Sequence, residues 1–230
     1  MAVPPIPINL AVIFDMDGVL IDSFHAHYES WRRMAARAGL NLTLQQFSDS
    51  FGRTSREIIA ALWVANSFDD ARLRAMDDEK EANFREIISA DFPAMPGAIE
   101  LIDSLYQSGT RLAIGSSGPS ANIDLALDTL GVRDRFNAIV TGADVARGKP
   151  DPQVFLLAAE RLGVAPAACI VIEDAPAGIE AATRAGMAAI ALRSTGRERA
   201  DFSNAELVVN SLSELSHQTI WKLIEYNPRP

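Results

Sequence analysis

Short apolar runs punctuate the chain at LAVIFD (10–15), RLAIGS (111–116), NAIVTG (137–142), CIVIED (169–174) and AAIAL (188–192). Each is too short for a helix and reads as a buried strand. Between the later runs, apolar residues recur at helical spacing over about 97–108, 119–130, 151–163 and 176–185, each stretch long enough for a crossover. Strand and helix in alternation predict an α/β fold, a doubly wound, Rossmann-like parallel sheet. Such a sheet binds its ligand outside the carboxyl ends of its strands, and polar residues gather at those ends here.

One stretch breaks the alternation. From about 24 to 92 the pattern is helical throughout, with Phe24, His27, Trp31, Met34 and Ala38 on one stripe. A capping box, Thr54-Ser55-Arg56-Glu57, precedes IIAALW. We expect an inserted helical domain over 23–92 and a core made of 1–22 and 93–230, with hinges at Asp22 to Phe24 and at FPAMPG (92–97). A short strand, LVV (207–209), and a closing helix, about 212–225, complete the core.

Composition narrows the classes. Hydrophobic residues make up 48% and charged residues 22%, as in ordinary globular chains, and no apolar run reaches membrane-spanning length. The first residues, MAVPPIPINLAVIFD, lack a basic leader, carry three prolines and fit a signal peptide poorly; we read them as an extended lead into the first strand. With 21 basic against 30 acidic residues, the net charge of -9 argues against a broad nucleic-acid interface. Cys169 is the only cysteine and has no intrachain partner, so a reduced, cytoplasmic setting is expected, with the protein a monomer or small homo-oligomer.

The strand ends carry the candidate chemistry. The first ends in Asp15-Met16-Asp17-Gly18. Two carboxylates one residue apart suit a cation-held nucleophile with an acid/base neighbour, and equally suit an ordinary turn. The second ends in Gly115-Ser116-Ser117-Gly118, either a phosphate cradle or helix caps. Lys149, in Gly148-Lys149-Pro150-Asp151-Pro152, is either a counter-charge for a phosphoryl group or a solvent-facing turn residue. Glu173-Asp174 ends the fourth strand, and Asp174 is either a Mg²⁺ ligand or the cap of the helix at Pro176. No one of these is decisive alone; their succession on four strands matters more than any one member.

FDMDGVLIDS (14–23), IGSSGP (114–119), GKPDP (148–152) and VIEDAPAGIEAA (171–182) resemble the four ordered motifs of the haloacid dehalogenase superfamily, and the helical insert resembles its cap domain in the subgroup of β-phosphoglucomutase and small phosphosugar phosphatases. The resemblance implies that Asp15 is a nucleophile that becomes an aspartyl phosphate. It implies that Asp17 is the general acid/base and also binds Mg²⁺ through its backbone carbonyl. Ser116 and Lys149 would hold the phosphoryl group, and Asp174, with Glu173 nearby, would ligate the metal. A true dehalogenase lacks the second aspartate, so Asp17 points away from that activity. In the cap, His27, Arg56 and Lys80 match residues that meet the substrate in β-phosphoglucomutase. Locally, His27 also reads as a packed core residue, Arg56 as a first-turn surface residue and Lys80, in DDEKE, as part of a solvated face.

The mutase pattern is departed from at one place. Where β-phosphoglucomutase carries a lysine and an asparagine for a second phosphate, this chain has Ser117-Gly118-Pro119-Ser120, without a cation. The expected activity is therefore a Mg²⁺-dependent phosphatase that hydrolyses a small phosphorylated metabolite, a sugar phosphate, with Ser117 and the cap residues binding the substrate. A β-phosphoglucomutase-like mutase and, outside enzymes, a phospho-accepting signalling module are the alternatives.

Overall fold

The computed structural model describes residues 10–50, 55–63, 68–194 and 198–226. The sequence readings at 1–9, including the extended lead, and at Thr54 of the capping box lie outside the described residues. Six parallel strands form one sheet: β1 (Ala11–Phe14), β2 (Arg111–Gly115), β3 (Ala138–Val140), β4 (Cys169–Glu173), β5 (Ala188–Leu192) and β6 (Leu207–Val209). Their order is β3-β2-β1-β4-β5-β6, so the sheet grows outward in both directions from β1 and β4. That reversal is a topological switch point, where a parallel sheet leaves a crevice beyond its carboxyl edge. Register decides what enters the crevice. Phe14 pairs with Ile114 on β2 and with Ile172 on β4, so Asp15, just past β1, stands level with Gly115 and Glu173, the last residues of β2 and β4.

The chain divides into two compact units, parting at Asp22/Ser23 and at Pro93/Ala94. The second boundary falls one residue beyond the division read from sequence. The inserted unit holds α1 (Phe24–Arg37), α2 (Leu44–Ser50), α3 (Ser55–Leu62) and α4 (Asp70–Ala90), with no strand among its described residues. Trp31, Met34 and Ala35 of α1 close on Phe47, Ile58, Ile59 and Met76, which gives the unit its own core. The Asp69 carboxylate accepts from the Arg72 amide at 2.7 Å and starts α4.

In the sheet unit α5 (Ala98–Gln107), α6 (Ser120–Leu130), α7 (Gln153–Leu162), α8 (Pro176–Arg184) and α9 (His217–Tyr226) cover the strands. Strand side chains alternate between faces. Ile13, Ala113, Val140, Val171 and Ala189 meet Phe155 and Ala158 of α7 and Ile179 and Ala182 of α8 on one face. Val12, Phe14, Leu112, Ile114, Ile170 and Ile172 point the other way and are equally buried. Burial on both faces is why these strands read as unbroken apolar runs. The closing helix differs from expectation. Residues 212–214 form a separate 3-10 turn held by the Ser211–Glu214 capping box, and α9 begins only at His217, where Ser216 and Thr219 exchange backbone-to-hydroxyl bonds of 2.8 and 3.2 Å. Among the described residues no helix is long and apolar enough to cross a membrane.

Candidate active site

At the carboxyl edge of β1 and β4, Lys149 ties two acids together. Its ammonium donates to Asp15 Oδ1 at 2.6 Å and to Glu173 Oε1 at 2.7 Å, with its side chain only 10% exposed. The ammonium also sits 4.9 Å from the centre of the Phe155 ring. The turn after β3 thus sends its lysine inward. Glu173 is fixed from behind as well, because Oε2 accepts the amides of Asp174 and Ala175, each at 2.8 Å. Asp174 does not cap α8; Ala175 holds that position without a side-chain bond, and Asp174 Oδ2 accepts instead from the Ser194 hydroxyl at 2.6 Å.

Oxygens of Asp15, Glu173 and Asp174 lie within 4.8 Å of one another, and all three residues are buried. Two glycines make this crowding possible. A Cβ on Gly178 would fall 1.8 Å from Glu173 Oε1, and one on Gly18, whose φ is +75°, would fall 2.0 Å from Asp174 Oδ2. Gly18 therefore serves both a left-handed turn and the approach of a carboxylate.

Asp17 and Ser116 both approach the Cβ position of Gly118, where an added Cβ would meet Ser116 Oγ at 3.3 Å and Asp17 Oδ2 at 3.7 Å. Ser116 is buried, and its hydroxyl accepts from the Gly118 amide at 3.0 Å rather than capping α6, whose first turn follows Pro119 without a side-chain cap. Ser117 is exposed, with its carbonyl against Gly142.

Burial dominates the electrostatics of Asp15 and pushes its carboxyl well above the usual range; Lys149 opposes this, while Glu173, Asp174 and Asp17 reinforce it. Burial works against the Lys149 ammonium too, but Asp15 and Glu173 outweigh it and hold the charge. The cluster holds three buried carboxylates, and the Lys149 ammonium bonds only Asp15 and Glu173, leaving an excess of negative charge on hard oxygen donors. That is the donor set of a divalent cation such as Mg²⁺, and the residues present fit one.

In the helical unit, the His27 ring stacks on Phe84, with centroids 4.0 Å apart and planes at 9°. Lys80 is buried, not part of a solvated face: its ammonium pairs with Glu81 at 2.6 Å and lies over the Trp31 and Phe84 rings at 5.8 and 5.6 Å. Arg56 belongs to α3, but its side chain lies outside the described residues. The structure thus gathers Asp15, Lys149, Glu173 and Asp174 in one cluster, Asp17 and Ser116 around Gly118, and His27 and Lys80 around Phe84. Sequence reasoning missed Ser194, which follows β5 with no local pattern to mark it, and missed that Gly178 yields space to Glu173.

Known proteins resemble this chain along almost its whole length. The sequence is 35% identical over 211 residues to validoxylamine A 7'-phosphate phosphatase of Streptomyces hygroscopicus subsp. limoneus, covering 88% of this chain and 94% of that one. It is 32% identical over 212 residues to β-phosphoglucomutase of Bacillus subtilis, covering 90% and 91%. The crystal structure of β-phosphoglucomutase from Clostridium difficile superposes with a TM-score of 0.83 at 28% identity, over 94% of this chain and 97% of that one. The sequence profile of the haloacid dehalogenase-like hydrolases matches residues 12–192, a span that holds every strand-end motif, and the chain belongs to that family.

Proposed function

We propose that this enzyme is a Mg²⁺-dependent phosphatase that hydrolyses a small phosphorylated metabolite, a sugar phosphate, through an aspartyl phosphate on Asp15. The observation that carries this reading is the Lys149 ammonium bridging Asp15 and Glu173 inside a buried carboxylate cluster. A lysine so placed neutralises the attacking acid and the arriving phosphoryl group together.

A carboxylate oxygen of Asp15 attacks phosphorus, and the bond from phosphorus to the substrate oxygen breaks. Asp17, whose carboxyl group approaches the Cβ position of Gly118 as the Ser116 hydroxyl does, gives its proton to the departing alkoxide. The same carboxylate then takes a proton from water, which attacks the phosphorus of the aspartyl phosphate, releasing inorganic phosphate and restoring Asp15. Ser116, with its hydroxyl oriented by the Gly118 amide, donates to a phosphoryl oxygen. The carboxylates of Asp15 and Asp174, with the Asp17 carbonyl and Glu173 close by, would hold Mg²⁺. Bound there, the ion keeps Asp15 ionised and offsets phosphoryl charge.

The sheet unit serves as the catalytic core and the helical unit as a cap that carries the substrate-selecting residues His27, Arg56 and Lys80, with Ser117 at the second strand end. Relatives of this chain include both a phosphatase and a mutase. The mutase reading is tested by product: incubation with β-glucose 1-phosphate yields inorganic phosphate for a phosphatase and glucose 6-phosphate for a mutase. Hydrolysis is favoured because Ser117-Gly118-Pro119-Ser120 offers no cation for a second phosphate. A cytoplasmic setting accords with Cys169, a buried free thiol that burial pushes up to about 12.

Two experiments test the proposal. Asp15→Asn is expected to remove turnover while leaving the fold intact, and activity equal to wild type contradicts the nucleophile. EDTA is expected to abolish phosphate release and added Mg²⁺ to restore it; release undiminished by the chelator contradicts the metal role.

A further inference from the structure

Asp174 is held by a partner from outside the four strand-end motifs. Its Oδ2 accepts from Ser194 Oγ at 2.6 Å, and Ser194 is the second residue beyond β5, twenty positions further along the chain. The same oxygen faces Gly18, where even a methyl group would fall within 2.0 Å. Oδ2 is thus both walled by the β1 turn and bonded to a hydroxyl that follows the next strand over. An aspartate carboxylate that nothing holds turns about χ2 with little cost, since such torsions have broad minima. A short hydrogen bond to a charged acceptor removes that freedom.

We propose that Ser194 is a positioning residue that sets the rotation of the Asp174 carboxylate for the divalent cation. Its hydroxyl proton occupies one lone pair of Oδ2, and the carboxylate plane is fixed between Ser194 and Gly18. The inference rests on the proposed metal role of Asp174 and adds a residue that none of the sequence motifs contains. Groups that orient metal ligands are commonly worth about 10- to 100-fold in metal affinity.

The test uses the full chain and Mn²⁺, whose binding is read by electron paramagnetic resonance without any turnover, together with Mg²⁺ titration of phosphate release. Ser194→Ala is expected to weaken Mn²⁺ binding by about 10- to 100-fold, with the deficit in phosphate release overcome by raising Mg²⁺. Ser194→Thr, which keeps the hydroxyl, is expected to bind within about threefold of wild type, a factor at the edge of what one altered contact changes. A Ser194→Ala protein that binds Mn²⁺ as tightly as wild type overturns the positioning role while leaving the metal site standing. A purely structural role is the finding if Ser194→Ala lowers the urea midpoint and maximal turnover without moving the Mn²⁺ affinity, and it too overturns the inference. Wild-type protein that binds no Mn²⁺ overturns the metal reading itself, and the inference with it.

Discussion

Lys149 shows how one side chain carries structure and chemistry together. Its ammonium is shared by two carboxylates in a buried site, where breaking a pair by removing one partner typically costs about 3–5 kcal/mol. Lys149→Met is expected to lower the stability of the folded chain by an amount of that order in urea titrations at neutral pH, besides removing turnover. A stability change within about 0.5 kcal/mol, the range of ordinary surface substitutions, would mean that the ammonium is not what balances Asp15 and Glu173. The glycines are as demanding. Gly178→Ala places a methyl group on Glu173, which cannot retreat because its other oxygen is held by two amides. We expect a loss of about 1–3 kcal/mol, as for overpacked cores, and a matching fall in activity; a neutral substitution would show that Glu173 can move aside.

The elements are legible in the sequence in proportion to how local their causes are. The apolar runs give β5 and β6 their observed ends, while β1, β2 and β4 stop one residue short, at the site residues Asp15, Ser116 and Asp174, and β3 stops two short, where Thr141 caps a 3-10 turn. The helix expected near 212–225 is split, since a second capping pair at Ser216 and Thr219 competes with continuation. Asp15, Glu173 and Asp174 are legible as candidates because each stands at or just beyond a strand end, and Lys149 because it stands in the loop that follows β3. Their contacts are not, because only the β1–β4 register brings residues 134 and 24 positions apart to one ammonium. Lys80 looks solvent-facing in DDEKE because charge runs hide periodicity; on the helix it shares the buried side with Met76 and Phe84.

At the same scale, the loop after β3 is fastened to α7. Arg161 donates to the Ile139 carbonyl and to Asp144 Oδ1, the latter at 2.6 Å, while Asp144 also accepts from Thr141. Arg161 chiefly, with the Thr141 bonds, lowers the Asp144 pKa to about 2. A depressed carboxylate pKa stabilises the fold above the unfolded value and is lost as pH falls through the folded one. The urea midpoint of wild type should therefore exceed that of Asp144→Asn by a constant margin above about pH 4, and the margin should close as pH approaches about 2. A gap independent of pH over that window would mean that the ion pair and amide bonds contribute nothing through charge.

Over the whole molecule, a parallel sheet whose strand order reverses between β1 and β4 brings acids and a cation together at its carboxyl edge, and a helical unit inserted directly after the first acid pair carries a second set of polar residues. On the proposed reading, this division would let the core retain one reaction while the insert varies the substrate, and relatives are named for different phosphorylated compounds. The covalent step at Asp15 is the centre of that reading. It is tested most directly by mixing the Mg²⁺-loaded protein with a sugar phosphate that it turns over, quenching within the first turnover, and reducing with borohydride, which converts an aspartyl phosphate to homoserine. Peptide mass spectrometry is expected to place homoserine at position 15 in wild type and nowhere in Asp15→Asn; steady phosphate release with aspartate intact at position 15 and the acyl phosphate on another residue, or on none, would contradict it.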